Sequence, residues 1–397
     1  MGLNETPGAE RIQIGFFGLR NAGKSSLINR ITNQEVSLVS EVKGTTTDPV
    51  KKSMELLPLG PVTLIDTPGF DDEGVLGEQR VRRTREALAV CDLALLVTDH
   101  DRLSPEEQEL LVLMERRDLP HLIVRNKTDC FPPNAVCGET MLTVSARDGS
   151  GVEELKNAMA RAMQGREKRQ RLVADLLAPG DTVVLVIPID KAAPKGRLIL
   201  PQQQVLRDVL DAGALSLVTG VERLEAALGG LRRDPALVIT DSQVFASVIK
   251  RVPERLPLTS FSILMARYKG FLDEAVRGAA AINYLPDGAR VLIGEGCTHH
   301  RQCDDIGTVK LPDWLQKHSG RRLEFSFTSG HGFSENPAEY DLIVHCGGCM
   351  LNDREMQNRM NAARAAGVPI TNYGIAIAHM NGILRRSIAP LYNELPI

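Results

Sequence analysis

Two groups of residues in this chain have the types and spacing to do chemistry. The first is Gly18-Leu19-Arg20-Asn21-Ala22-Gly23-Lys24-Ser25, which fits G-x-x-x-x-G-K-[ST] between the β-rich Ile12–Phe17 and a run at 25–31 with helical apolar spacing. Such a loop wraps phosphates with backbone N–H groups from Gly18 and Asn21 through Ser26, aided by the following helix N-terminus. Lys24 would reach the β- and γ-phosphates and the Ser25 hydroxyl would bind Mg²⁺. The second group is Cys297-Thr298-His299 with the later His345-Cys346-Gly347-Gly348-Cys349. Its C-x-x-C places two thiolates on one tight, glycine-rich loop after a short apolar strand.

Three further motifs follow the phosphate loop in order. Asp66-Thr67-Pro68-Gly69 follows the apolar run 62–65, where Asp66 can hold Mg²⁺ through water and the Gly69 amide can sense a γ-phosphate. Asn126-Lys127-Thr128-Asp129 follows another strand, and the Asp129 carboxylate can accept two hydrogen bonds from guanine N1–H and its amino group. Adenine lacks that donor pair and is rejected by the unpaired carboxylate. In Ser145-Ala146-Arg147 a backbone amide can contact guanine O6. Between the first two motifs, Gly44-Thr45-Thr46-Thr47-Asp48 can place a threonine on Mg²⁺. The set in this order predicts a GTP-binding domain. Phe70 cannot orient a water as glutamine does, so intrinsic hydrolysis is expected to be slow; Glu73 or Glu78 could compensate.

The second group suits either an iron–sulfur cluster or tetrahedral zinc, whereas a thioredoxin-type dithiol leaves Cys297 unexplained. With Cys297, Cys346 and Cys349 as thiolates, the fourth ligand could be Cys303, Asp304, Asp305, His299 or His345. Cys91, Cys130 and Cys137 read as bystanders.

The elements positioning these residues read as α/β throughout. Strands at 12–17, 62–65, 93–98 and 121–125 alternate with helices at 105–117 and 152–164, which predicts a mostly parallel sheet covered on both faces. The charged 166–171 marks a boundary. A small α/β unit follows, with strands at 183–189, 198–200, 214–218 and 236–239 and helices at 202–212, 221–228 and 243–250; lacking Cys and His, it suggests scaffolding or self-association. The last unit has a helix at 263–282, strands at 290–294, 323–328 and 342–344, and a helix at 355–366. The expected domains are 1–168, 175–258 and 259–397.

Composition agrees with a soluble, cytoplasmic protein. The 47 basic and 50 acidic residues nearly cancel, so no nucleic-acid sleeve is expected, and aromatics at 4% argue against base stacking. The N-terminus has no apolar signal region and no run approaches the ~20 residues of a membrane span.

The segment to about residue 165 resembles the TrmE/Era-like GTPases of tRNA modification and ribosome assembly, on G-x-x-N-x-G-K-S, G-T-T-x-D, D-T-P-G and N-K-x-D. That resemblance implies Thr46, with Thr45 as runner-up, as the switch ligand of Mg²⁺, and Asn21 as part of a K⁺ site. Together with C-x-H and H-C-x-x-C, the whole chain resembles the FeFe-hydrogenase maturation GTPases (HydF). The resemblance implies a 4Fe-4S cluster on Cys297, Cys346 and Cys349, with Asp304 ranked first as fourth ligand. It further implies a scaffold that receives a di-iron precursor cluster from two radical-SAM maturases and delivers it to the apo-hydrogenase. GTP would act as a switch, and the middle domain would make a homodimer. An RNA-acting GTPase and a regulatory GTPase with structural zinc are the alternatives.

Overall fold

A computed structural model describes residues 7–32, 50–69, 75–130, 141–164, 172–189, 198–296, 305–330, 332–334 and 336–392, with 75–82 as backbone only. It divides into two units, Met1–Lys168 and Arg169–Ile397. Among the described residues no helix is long and apolar enough to cross a membrane.

The first unit is built on β1 (Ile12–Phe17), β2 (Val50–Leu56), β3 (Gly60–Asp66), β4 (Leu93–Thr98), β5 (His121–Arg125) and β6 (Met141–Thr143). The sheet order is β2-β3-β1-β4-β5-β6. Only β2 runs antiparallel, paired with β3 from Val50 opposite Asp66 to Leu56 opposite Gly60. The helices are α1 (Lys24–Thr32), α2 (Val75–Val90), α3 (Pro105–Arg116) and α4 (Val152–Met163). Alternate residues of the central strands feed opposite faces: Ile14, Phe16, Leu95 and Val97 pack with Leu27 and Leu155, whereas Phe17, Ala94 and Leu96 pack with Leu88, Leu110 and Met114. Burial on both faces is why β4 reads as a nearly continuous apolar run. α3 starts at a capping box in which Ser104 and Glu107 each bond the other's backbone N–H.

The second unit holds two four-stranded parallel sheets. One is β7 (Thr182–Val186), β8 (Leu215–Thr219), β9 (Leu237–Thr240) and β10 (Leu258–Ser260), in the order β10-β9-β7-β8. The other is β11 (Ala289–Gly294), β12 (Leu323–Thr328), β13 (Leu342–His345) and β14 (Ile370–Asn372), in the order β12-β11-β13-β14. The unit's helices are α5 (Leu200–Asp211), α6 (Leu224–Gly229), α7 (Phe245–Val248), α8 (Phe261–Tyr268), α9 (Leu272–Ala279), α10 (Leu311–Ser319), α11 (Asp353–Ala365), α12 (Tyr373–Met380) and α13 (Leu384–Ile388). One hydrophobic core runs from Val184 and Val238 through Ile263 and Ala275 to Leu292 and Ile343.

Three sequence expectations are corrected. Residues 198–200 form no strand, because Leu200 opens α5 with Pro201 in its first turn. The helix expected at 243–250 is a 3₁₀ turn, Ser242–Val244, followed by the short α7. The helix expected over 263–282 breaks after Lys269, where Gly270 takes φ +75° and α9 restarts at Leu272.

Gly278 is the one glycine within α9, and packing explains it. A Cβ there would lie 2.0 Å from Ile370 O on β14. A helical Gly→Ala change ordinarily stabilises by about 1 kcal/mol. Here the sign reverses: Gly278→Ala is expected to cost about 3 kcal/mol by forcing α9 off the sheet, read as a lower urea midpoint.

Candidate functional site

The phosphate loop lies between β1 and α1, at the carboxyl end of the sheet where open α/β folds bind ligands. Gly18 has φ +147°, and a Cβ there would sit 2.0 Å from Val97 O. At Gly23, φ is +87° and a Cβ would fall 2.3 Å from Asn126 Nδ2. Both positions exclude a side chain, so the loop can close on a ligand with its backbone. Asn21 takes φ +63°. Lys24 is buried and its Nζ donates to Gly18 O at 2.9 Å and Leu19 O at 2.8 Å, which holds the ammonium over the loop. Ala22 is buried and Ser26 is exposed at the first turn of α1.

Ser25 Oγ donates to Asp66 Oδ2 at 2.5 Å. Asp66 Oδ1 is buried and has no hydrogen-bond partner. Burial pushes the Asp66 carboxyl above its ordinary range, opposed by the Ser25 hydrogen bond and by Lys24. A hydroxyl beside a carboxylate with an orphaned oxygen is a hard-donor set, and it fits Mg²⁺. Thr67 bonds Phe16 O through its hydroxyl at 2.6 Å, which ties the start of the 66–69 motif to β1.

Asn126 acts as a clamp. Its Nδ2 donates to Ala22 O at 3.0 Å, and its Oδ1 accepts from Ala146 N at 3.1 Å. One buried side chain therefore joins the phosphate loop to the Ser145-Ala146 loop. The Ala146 amide, one of those in the 145–147 loop expected to be able to reach guanine O6, is engaged in that bond. Lys127, at φ +60°, pairs with Asp99 at 2.6 Å. Asp129 Oδ1 accepts from Ser145 Oγ at 2.9 Å, and Arg147 stands 3.7 Å from its other oxygen. Gly69 ends the described part of its loop. Thr45, Thr46, Phe70 and Glu73 lie outside the described residues, as does the Glu78 side chain.

In the second unit, β11 and β13 are parallel neighbours, with Gly294 opposite His345, so Glu295 and Gly296 leave the sheet at the same edge as the Cys346–Cys349 loop. Gly296 N donates to Cys346 Sγ at 3.0 Å, and Gly348 N donates to the same sulfur at 3.4 Å. Gly348 has φ +66°, and a Cβ on it would meet Met356 Sδ at 2.7 Å. Burial pushes the Cys346 thiol up despite those two amides, and raises Cys349 to about 12, with the neighbouring Cys346 adding to the shift. Two half-buried cysteines three residues apart, each receiving backbone N–H groups, are a donor set that fits a thiolate-bound metal centre.

His345 is fully buried, with Nδ1 donating to Cys346 O at 2.8 Å and Nε2 accepting from Arg359 Nη1 at 2.8 Å. Burial and the Arg359 cation lower its pKa to about 4. Both ring nitrogens are therefore engaged in hydrogen bonds. Asp305 Oδ2 caps the following helical turn by accepting from Thr308 N at 2.8 Å. Cys297, His299, Cys303 and Asp304 lie outside the described residues, and among those described no three His, Cys, Asp or Glu gather as a metal-ligand group. Cys91 is buried in the core and Cys130 is exposed, while Cys137 lies outside. Sequence reasoning missed Arg359, because an i,i+4 Glu355–Arg359 pair reads as an ordinary solvated helix face.

Comparison with known proteins now bears on both centres. A model for the 50S ribosome-binding GTPases matches residues 13–127. Models for the hydrogen maturase F dimerization and tetramerization domains match 172–270 and 273–390, together more than half of the chain. The chain belongs to the hydrogen maturase F family. It carries a P-loop GTPase domain followed by the family's dimerization and tetramerization domains, both α/β.

This hydrogen maturase F chain is also similar to the tRNA modification GTPase MnmE of Prochlorococcus marinus strain MIT 9303, at 34% identity over 233 residues, 55% of this chain and 49% of that protein. The MnmE of Nitrosomonas europaea is 37% identical over 157 residues, covering 38% and 34%. The chain therefore spans half or less of the length of these relatives. Aquifex aeolicus Era bound to GDP and aluminium fluoride is similar at 19% identity and TM-score 0.34, covering 52% of this chain and 92% of that one.

Proposed function

We propose that this hydrogenase maturation GTPase is a scaffold that carries a di-iron precursor cluster and delivers it to apo-FeFe-hydrogenase. In this reading a 4Fe-4S cluster sits on Cys297, Cys346 and Cys349, and Asp304 is the first-ranked fourth ligand. The observation that carries the reading is the pair of backbone amides on Cys346 Sγ, in a chain matching both hydrogen maturase F models. When bound, the cluster would supply an iron with an exchangeable ligand to which a precursor could attach. The protein's own part is to hold the sulfurs, supply amide donors and surround them with apolar groups such as Met356 and Leu351.

The nucleotide site is proposed to use Lys24 on the phosphates, Ser25, Thr46 and Asp66 around Mg²⁺, Gly69 as γ-phosphate sensor and Asp129 on guanine. Thr45 is second to Thr46. Asn21 is proposed to help hold K⁺, checked by GTPase rates in K⁺ against Na⁺. GTP would shift partner contacts through Thr46 and Gly69 without entering cluster assembly. The functional modules are taken as 1–168, 175–258 and 259–397. The middle module would form a homodimer, and the dimerization and tetramerization names of the matched models support association of higher order. Radical-SAM maturases and the apo-hydrogenase are the proposed partners, in the cytoplasm, with neither nucleic acid nor membrane required.

Anaerobic purification tests the reading. Brown protein with iron and sulfide in stoichiometric amount is expected. Colourless protein with one zinc per chain would sink it in favour of a structural zinc domain. The MnmE relatives motivate the RNA alternative, which tight, salt-dependent tRNA binding would revive.

A further inference from the structure

The helix behind the cysteine loop carries an ion pair that the proposed function does not use. Arg359 and Glu355 lie one turn apart on α11 and both are buried. A buried pair recovers its desolvation cost only with good geometry, so its presence alone says little about stability. Its contacts say more. Arg359 Nη2 donates to Glu355 Oε1 and to Gly330 O, each at 2.7 Å, and Nη1 donates to His345 Nε2 at 2.8 Å. The Phe333 ring covers the guanidinium at 5.3 Å. A guanidinium has no acceptor lone pair and keeps its protons, so His345 Nε2 must be the acceptor. The ring proton is then on Nδ1, where it donates to Cys346 O at 2.8 Å. A continuous chain of contacts therefore runs from Glu355 through Arg359 and His345 to the peptide of Cys346, whose sulfur receives the Gly296 and Gly348 amides.

We propose that Arg359 is the positioning residue of the cysteine site: it locks His345 as the Nδ1–H tautomer, fixes the Cys346 peptide, and keeps the imidazole out of the ligand set. This rests on the cluster reading above. Two separable properties follow. The three-acceptor fork supplies geometry, which a lysine cannot reproduce. The positive charge, one imidazole away from the cysteine loop, favours the more negative, reduced form of a bound cluster.

The full chain is reconstituted anaerobically as wild type, Arg359→Met and Arg359→Lys. Iron loss to a chelator is followed, and the midpoint potential of the retained cluster is measured. Arg359→Met is expected to lose iron about 10–100-fold faster, with the potential moved to more negative values. Arg359→Lys is expected to lose iron fast as well but to keep a potential near wild type. Both variants within twofold of wild type in iron loss, with unchanged potential, would overturn the proposal. So would loss of melting temperature and iron together with unchanged potential in Arg359→Met, since that marks a purely folding role. If Arg359→Met does not fold, Arg359→Lys decides by its iron-loss rate. A wild type that takes up no iron fails the cluster reading itself, a result distinct from an indifferent Arg359.

Discussion

Asp129→Asn is expected to weaken guanine nucleotide binding by about 10³-fold and to improve binding of xanthine nucleotides. In the proposed nucleotide site the carboxylate would offer two acceptors to the guanine N1–H and amino group, and each charge-assisted bond is worth about 1.5–3 kcal/mol. Asparagine keeps one acceptor and turns an N–H donor toward the base. The change thus removes one bond and opposes a donor to a donor, a loss of about 4 kcal/mol, or three decades in affinity. Xanthine carries a carbonyl where guanine carries its amino group, so the asparagine donor finds an acceptor there. The surroundings tolerate the swap: the Ser145 hydroxyl, 2.9 Å from Oδ1, can still donate to the asparagine oxygen. Titrations with GDP and XDP check this. Unchanged GDP affinity would remove Asp129 from base recognition and leave it as a support for the Ser145 loop.

Legibility in the sequence followed the locality of the chemistry. A phosphate loop needs glycines, a lysine and a hydroxyl within eight positions, so Gly18 to Ser25 can be read from spacing alone. The strand β4 showed because burial on both faces leaves an almost unbroken apolar run, and β1 and β5 showed through their short apolar stretches beside it. Other elements lacked such a mark. Helix α12 is buried along most of its length, from Tyr373 to Ala378, so it shows no polar stripe to set its period. β6, β10 and β14 span three residues each, too short for any alternation to register. β2 is a half-exposed edge strand whose lysines and glutamate dilute the pattern. The role of Gly278 could not be read either, since its reason is the Ile370 carbonyl of a strand almost a hundred residues away. At the cysteine site, ligand types were legible while their supports were not. Arg359 and His345 meet only because α11 folds back across the end of β13, and a sequence shows the histidine as one more possible ligand.

Cys346→Ser is expected to lower bound iron by more than about tenfold, beyond what loss of a supporting hydrogen bond around a metal ligand causes. Serine nearly preserves the shape and can accept the same Gly296 and Gly348 amides, so the fold should survive. What it loses is the soft, polarizable thiolate that iron–sulfur ligation requires. Cys349→Ser should fall in the same direction. Cys91→Ser is the internal control: that residue is buried in the first unit's core in one cluster with Phe17 and Leu88, so the change should cost stability and leave iron content untouched. Iron and sulfide per chain, with electron paramagnetic resonance of the reduced protein, separate these outcomes. Equal iron in Cys346→Ser and wild type would mean that the metal sits elsewhere, and the amide pair on Cys346 would then be only a loop-closing device. Both sulfurs have donors in place for a thiolate: Cys346 receives the Gly296 and Gly348 amides, and Cys349 receives its own and the Met350 amide with the Lys269 cation nearby. Cys349→Ser should therefore lower bound iron as far as Cys346→Ser does, because each change removes one thiolate from a loop whose amides remain.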